Sequence, residues 1–416
     1  MSNTKYSTIG KECDVTNGFA FKSKDYVDSG ILNFRVVNIL EGGQINLGDV
    51  EYLPQDFSKK YAKYLLNKGD ILIVMVGATR GKMTMIPRDI LPALLNQNMW
   101  KVTPGNKELN PKFLYFYLLS SIQEFIERNS ETTRGFFKKS DFKNIQIPLW
   151  EGSIQKNIAY ILSVIQKSIE MQNELIAQTT ELKNVLMQKL FTEGTKGERQ
   201  KETEIGFIPE SWDLVTIKSL LLKTSNVEPK KKPNEFFKYI DVSSVSNESF
   251  QIEDTSNILG KDAPSRAKKQ VQENDIIFAT VRPTLKRIAV IPSELDNEVC
   301  STGYCVLRVN PEKIEHNFLF QYLLTENFIK SIGSLQRGAS YPAVRDNDVK
   351  NQKVPLPNKS EQSSISQSLS AIDKKLILLR SKKNCYMNLF DSILDKLMSN
   401  QIRVNMINFQ NINNYV

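Results

Sequence analysis

One histidine, four cysteines and no long apolar run stand in 416 residues, and each shortage closes off a class of protein. His316 alone cannot build an HNH centre or a two-histidine phosphodiesterase; beside the helix expected from Asn317 to Ser331 it reads as a surface or capping residue. Cys13, Cys300, Cys305 and Cys385 stand mostly far apart. The one close pair has a four-residue gap and no neighbouring histidine, so reduced, partly buried thiols are expected and no metal site. No window approaches eighteen uninterrupted apolar residues, and the opening MSNTKYSTIG lacks an apolar h-region. Neither a membrane span nor a signal peptide is predicted, and a cytoplasmic location is expected. There is no G-x-x-x-x-G-K-[ST] loop for nucleotide phosphates, no Asn-Pro-Pro-Tyr or Asp-Pro-Pro-Tyr run to hold a flipped base, and no glycine-rich turn suited to S-adenosylmethionine. The nearest nuclease-like fragment, Asp346-Asn347-Asp348-Val349-Lys350, lacks an upstream acidic strand. The chain alone is expected to be inert and to bind no cofactor.

What is present is positive charge and a repeat. Fifty-five Lys and Arg against 46 Asp and Glu leave a net charge of +9, which favours a polyanionic partner, nucleic acid ahead of anionic lipid or another protein. KGDILIVMVGATRGKMTMIP (Lys68 to Pro87) runs beside ENDIIFATVRPTLKRIAVIP (Glu273 to Pro292), with Asp70 and Asp275 offset by 275 − 70 = 205. NPKFLYFYLLSSIQEFI from Asn110 faces EHNFLFQYLLTENFIKS from Glu315 at the same offset. FKNIQIPLWEGSIQKNIAYILSVI from Phe142 then faces VKNQKVPLPNKSEQSSISQSLSAI from Val349, with Gln155 and Gln362 offset by 362 − 155 = 207.

Each copy begins as a mixed region of short β-branched and aromatic runs broken by Gly, Pro and Asn, with one helix near 111–128 or 316–332. Each then stops at Ile-Pro or Val-Pro and continues without Pro or internal Gly, from about Ser153 to Phe191 and from about Ser360 to Met398. These second parts are predicted to be long helices. Ile365, Leu369, Ile372, Leu376, Leu379, Tyr386, Phe390, Ile393 and Leu397 follow steps of four and three, with Lys383 interrupting the seam. In the first helix Ile158, Leu162, Ile165, Ile169, Ile176, Leu186 and Leu190 hold equivalent places, diluted by Gln172, Thr179 and Lys183. A helix of forty residues is about 60 Å long, and an apolar stripe of that length needs a partner. The economical partner is the other copy. The expected fold is therefore α+β, with two similar mixed globular domains separated by two long helices in an antiparallel coiled coil, a pseudo-twofold repeat. The segments are 1–150 (first domain), 151–193 (first helix), 194–212 (linker), 213–357 (second domain), 358–400 (second helix) and 401–416 (tail).

Several phrases resemble one family, the specificity subunits of type I restriction-modification complexes. EIGFIPESW from Glu204 is similar to the opening of that family's target-recognition domains, and GFAFKSKDYVDSGILNFRVVNI (Gly18 to Ile39) to its GxxFKSxxY phrase and following strand. LLNQNMWKVTP (Leu94 to Pro104), LMQKLFTEG (Leu186 to Gly194) and VPLPNKSEQSSISQSLSAID (Val354 to Asp373) follow in the family's order. The resemblance implies two target-recognition domains, each reading half of a bipartite site in double-stranded DNA. It implies that the helices set the unread spacer and dock two adenine methyltransferase subunits, with motor-nuclease subunits joining for restriction. S-adenosylmethionine, ATP and Mg2+ would serve those partners. The first copy departs from the pattern by lacking the Pro-x-x-Trp opening and starting abruptly at Lys5, while an Asn-rich tail follows the second helix. Tail and N-terminus are expected to meet in space, completing the plan that Thr195 to Trp212 makes covalently.

Binding DNA needs Lys and Arg against phosphates, and Arg, Asn, Gln or Ser/Thr at base edges. In the first copy the candidates are Lys22, Lys24, Thr79, Arg80 and Lys82 in the GATRGK turn, then Arg134, Lys138 and Lys139 around Phe136 and Phe137. In the second they are Arg266, Lys268, Lys269, Arg282, Lys286, Arg287, Arg337, Tyr341 and Arg345. Thr133-Arg134-Gly135 and Gln336-Arg337-Gly338 read as equivalent loops; the lysine run from Lys230 to Lys232 reads as a solvated loop. Two alternatives compete: a coiled-coil adaptor presenting two repeated domains to proteins, and a methyltransferase or nuclease with built-in recognition. The missing motifs count against the second.

Overall fold

A computed structural model describes residues 5–128, 138–402 and 404. Packing divides the chain into two units, residues 1–170 with 384–416 and residues 171–383.

The first unit is built on a four-stranded antiparallel sheet in the order Cys13–Asn17, Met99–Pro104, Ile71–Val74, Met83–Met85. Ile71–Val74 is apolar at every position because it is central: strands flank both edges and all four side chains are buried. A smaller sheet of Tyr52–Leu53, Ile31–Phe34 and Ala93–Leu95 includes one parallel pair. The helix Pro111–Arg128 starts where expected. The Asn110 carboxamide oxygen accepts from the Lys112 and Phe113 amides at 3.0 and 3.1 Å, and Pro111 sits where its missing N–H costs nothing.

The second unit repeats the plan. Ile276–Ala279 is again central, between Ile288–Val290 and Tyr304–Leu307 in a sheet now of three strands, and the counterpart of the first unit's smaller sheet has a fourth strand, Ala267–Gln270. Two features differ from the expected pattern. The helix expected over 316–332 is broken into His316–Leu323 and Glu326–Ser334, because the Thr325 hydroxyl accepts from the Phe328 amide and caps a new helix. The segment read as a linker folds as a hairpin, Gln200–Thr203 with Gly206–Pro209, and ends in the fully buried Trp212.

The buried polar groups repeat with the strands. The Gln155 and Gln362 carboxamide oxygens accept from the Asn110 and Glu315 amides, each at 2.9 Å, while their amide groups donate to carbonyls of the preceding turn. Asp70 and Asp275 accept from the Asn67 and Gln272 amides at 2.7 and 2.8 Å. The hydroxyls of half-buried Tyr117 and buried Tyr322 donate to the Gln146 and Lys353 carbonyls. Orphaned buried polar groups are costly, and the repeat keeps the solution as well as the pattern.

The long helices span Gly152–Glu193 and Lys359–Met398. In the first unit Ile158, Ala159 and Leu162 share a core with Leu394 and Leu397; in the second, Met187 and Phe191 share one with Ile365 and Leu369. The start of one helix meets the end of the other in both units, so they pair antiparallel. The diluting residues Gln172, Thr179 and Lys183 are all buried. Lys183 is accommodated by Asp373 at 2.6 Å, and Asp373 in turn accepts from the Gln321 carboxamide at 2.6 Å. At the tail, Val404 is buried in the same cluster as Ile9, which brings the start of the tail and the start of the chain into one core. Residues 1–4 and 405–416 lie outside the described residues.

Candidate nucleic-acid interface

In both units the central strand runs into a hairpin turn, residues 75–82 and 280–287. The turns need two left-handed residues each. In the first unit these are Gly77 (φ 86°) and Gly81 (φ 88°); in the second they are Arg282 (φ 48°) and Lys286 (φ 56°). The second turn is zipped to the loop 336–345: the Arg282 amide donates to the Pro342 carbonyl at 2.7 Å, the Val344 amide to the Thr280 carbonyl at 2.9 Å, and Val281 bridges Ala343. Arg337 closes that loop on itself, exchanging backbone hydrogen bonds with Ala343, and its guanidinium lies 2.9 Å from Asp348. Arg282, Arg337, Tyr341 and Arg345 thus come together on one surface, and the Arg282 guanidinium sits over the Tyr341 ring at 5.4 Å. Hydrogen bonding to the Arg345 amide, reinforced by Arg337, holds the Asp348 carboxyl below its ordinary range.

The first unit presents a groove of about 800 Å³ lined by Asp14, Thr16, Asn17, Lys63, Asn67 and Lys139, among others. It adjoins a recess that runs past Met75, Val76, Asn98 and Trp100 to the start of the 75–82 turn. Lys139 begins the short helix Lys139–Lys143 at the groove's edge. Burial, followed by the like charges of Lys143 and Lys63, pushes its ammonium below the usual lysine range, with Asp14 opposing. A groove in which cations crowd one another is prepared for an anion.

The remaining candidates divide by what they touch. Lys22 and Lys24 are exposed around the single turn Ser23–Asp25, away from the groove's lining. Thr79, Arg80 and Lys82 are half-buried in the first hairpin turn. Lys138 is exposed beside Lys139, and Arg266 and Lys268 are exposed next to and on the strand Ala267–Gln270. The Lys286 ammonium lies 3.5 Å from the Leu324 carbonyl. Two cations have internal duties. Lys269 donates to the Tyr304 carbonyl at 2.5 Å and pairs with Asp346 at 2.6 Å, while the Arg287 guanidinium donates to the carbonyls of Val242, Ser243 and Val245, holding a turn. Arg134, with Phe136 and Phe137, lies outside the described residues. The sequence reading passed over Lys63, Lys143, Asn17 and Asn98. The repeat carried a signal for the first of them, because 268 − 63 = 205 sets Lys63 opposite Lys268.

Among the described residues no group of three His, Cys, Asp or Glu side chains is placed to hold a metal ion. Burial pushes the Cys13, Cys300 and Cys305 thiols up to about 12, so they remain protonated. No helix among the described residues is long and apolar enough to cross a membrane.

A duplicated α+β head, each copy followed by one of two antiparallel helices and each carrying cations at its hairpin end, defines a two-headed recognition scaffold. The chain belongs to the family of type I restriction-modification specificity subunits, recognition subunits rather than enzymes: the model of the type I restriction modification DNA specificity domain matches residues 1–181 and again 209–385. It is 28% identical to the type I restriction enzyme MjaVIII specificity subunit of Methanocaldococcus jannaschii over 379 residues, 86% of each chain. It is 26% identical to the putative MjaX specificity subunit of the same organism over 415 residues, 94% of this chain and 91% of that one. The crystal structure of the type I restriction-modification S subunit from M. genitalium shares the fold, with a TM-score of 0.61 at 19% identity over 95% of this chain and 97% of that one.

Proposed function

We propose that each head reads one half of a bipartite duplex target and that the paired helices set the unread spacer between the halves. The supporting observation is the repeated hairpin turn with cations beside it: the groove of Lys63 and Lys139 in one unit, the Arg282–Tyr341 surface in the other. Phosphate contacts by such lysines position a protein on DNA, and base contacts by arginine or amide side chains specify the sequence.

The helices carry a second repeated feature. Met171, Leu175, Leu182 and Val185 form an exposed stripe on the first helix at steps of four, seven and three. Shifted by 207, Met171 and Leu182 fall on Leu378 and Leu389, which are exposed on the second helix. An apolar stripe left in solvent on a helix already paired through its other face marks an interaction site. The two positions that recur on the second helix suit two copies of one partner. On this reading the partners are two adenine methyltransferase subunits, joined by motor-nuclease subunits in a restricting complex, and S-adenosylmethionine, ATP and Mg2+ are bound by those partners.

The test is modified-base sequencing of DNA from cells that express the methyltransferase partner with and without this chain. A bipartite adenine-methylation motif found only with the chain is the expected result. Identical methylation in both, with partner expression verified, would overturn the reading in favour of an adaptor role.

A further inference from the structure

The second hairpin turn contains a residue that its backbone argues against. Arg282 has a left-handed conformation (φ 48°, ψ 54°) and precedes Pro283. A side chain disfavours the left-handed region, and a following proline disfavours helical geometry again. The equivalent position of the first unit is Gly77, offset by 282 − 77 = 205, where the same turn forms without penalty. A strained residue persists where the surroundings over-determine it, and such strain collects at functional sites. Here the surroundings are specific. The amide of Arg282 is tied to Pro342, and the Val281–Ala343 bridge just before it pins the turn to the 336–345 loop.

That loop supplies Tyr341, a residue 74% exposed, against the guanidinium. An aromatic side chain so placed contributes little to a core, but it orients a planar cation. Among the described residues Arg282 enters no ion pair, whereas nearby Arg337 is engaged by Asp348. A phosphate asks only for a nearby charge, which flexible lysines provide. A planar, oriented fork of two donors matches the paired O6 and N7 acceptors of guanine in the major groove.

We infer that Arg282, oriented by Tyr341, is the specificity-determining residue that reads a guanine in the half-site of the second unit. This rests on the proposed DNA-reading function, and the experiment separates the two. The complex of this chain with its methyltransferase partner is prepared as wild type, Arg282→Gly and Arg282→Lys. The motif is taken from modified-base sequencing of host DNA, and binding is measured by fluorescence anisotropy on duplexes carrying that motif with each G·C pair replaced in turn by A·T. The wild type should lose about ten- to a hundredfold in affinity at one G·C pair of one half-site. Arg282→Gly should bind both duplexes equally, and Arg282→Lys, which lacks the planar fork, should discriminate less than wild type while keeping the wild-type salt dependence. The thermal midpoint of Arg282→Gly should be no lower than that of wild type, because glycine relieves the left-handed strain. Undiminished discrimination at every G·C pair in Arg282→Gly would overturn the inference and leave the function standing. A wild-type complex with no bipartite motif would overturn both.

Discussion

The two units solve one folding problem with the same buried groups and differ where those groups meet charge or solvent. Asp70 and Asp275 cap the same turn. In the first unit the carboxylate is answered by the Thr103 hydroxyl at 2.6 Å, with Lys101 at 3.9 Å; in the second Arg308 forks onto it at 2.8 and 3.0 Å. Phe116 packs edge-to-face on Phe390 in the first unit at 5.9 Å; the equivalent residues of the second, Gln321 and Lys183, are joined through Asp373. Lys139 stands among other lysines in a groove, whereas its counterpart at an offset of 207 is Asp346, which neutralises Lys269. A duplicated scaffold keeps the positions that hold it up, and its surface is free to diverge. The proposed reading, with each head serving a different half-site, requires that freedom.

The largest expected effect is on the buried carboxylates. Asp275→Ala would strand Arg308, whose side chain is only 15% exposed, and should cost about 3–5 kcal/mol in urea unfolding of the full chain. Asp70→Ala should cost less, about 1–3 kcal/mol, because its closest partner is a neutral hydroxyl and Lys101 already donates to the Leu65 carbonyl. Equal losses would remove the distinction. The helix junction is the next comparison. Asp373→Ala should destabilise by about 3 kcal/mol by leaving Lys183 charged and buried, while installing the first unit's pair with Lys183→Phe and Gln321→Phe should match or exceed wild-type stability. The surface lysines should separate by readout rather than by size. Lys63→Ala with Lys139→Ala should reduce the salt dependence of DNA binding by about 0.9 in slope for each phosphate that is no longer neutralised. Lys269→Ala should instead lower fold stability with little change in slope.

The smallest effect concerns His316, half-buried at the start of its helix, where burial lowers its pKa from 6.5 against the opposing pull of Glu315 and Glu273. Below pH 6.5 the unfolded imidazole takes up a proton that the folded one refuses, so stability falls with pH until the folded pKa is passed and is level below it. His316→Gln should flatten that segment of the stability–pH curve; an unaltered slope would assign the acid sensitivity to the carboxylates.

Much of the scaffold was legible because the repeat doubles every signal. The offsets of 205 and 207 align the central strands, the capping aspartates and the helix-anchoring glutamines, and the proline stops followed by stretches free of Pro and Gly located both long helices within about two residues. What stayed hidden depends on groups brought together by folding. Nothing near Lys269 in sequence shows that Asp346 will pair with it 77 residues on, and Arg287 finds its carbonyls more than 40 residues upstream. The split at Thr325 turned on one hydroxyl capping a helix, and the 194–212 hairpin on the burial of Trp212. At the proposed interface side-chain orientation was not legible: both Arg282 and Arg287 lie in the turn, but Arg282 is exposed while Arg287 is turned onto internal carbonyls.

Each head is proposed to carry its own half of the target. That proposal is tested most directly by replacing residues 5–150 with a second copy of residues 213–357 and sequencing modified bases in cells that express the methyltransferase partner. The expected motif has the half-site assigned to the first unit replaced by a second copy of the other half. Retention of the original bipartite motif by the replaced chain would contradict the proposal.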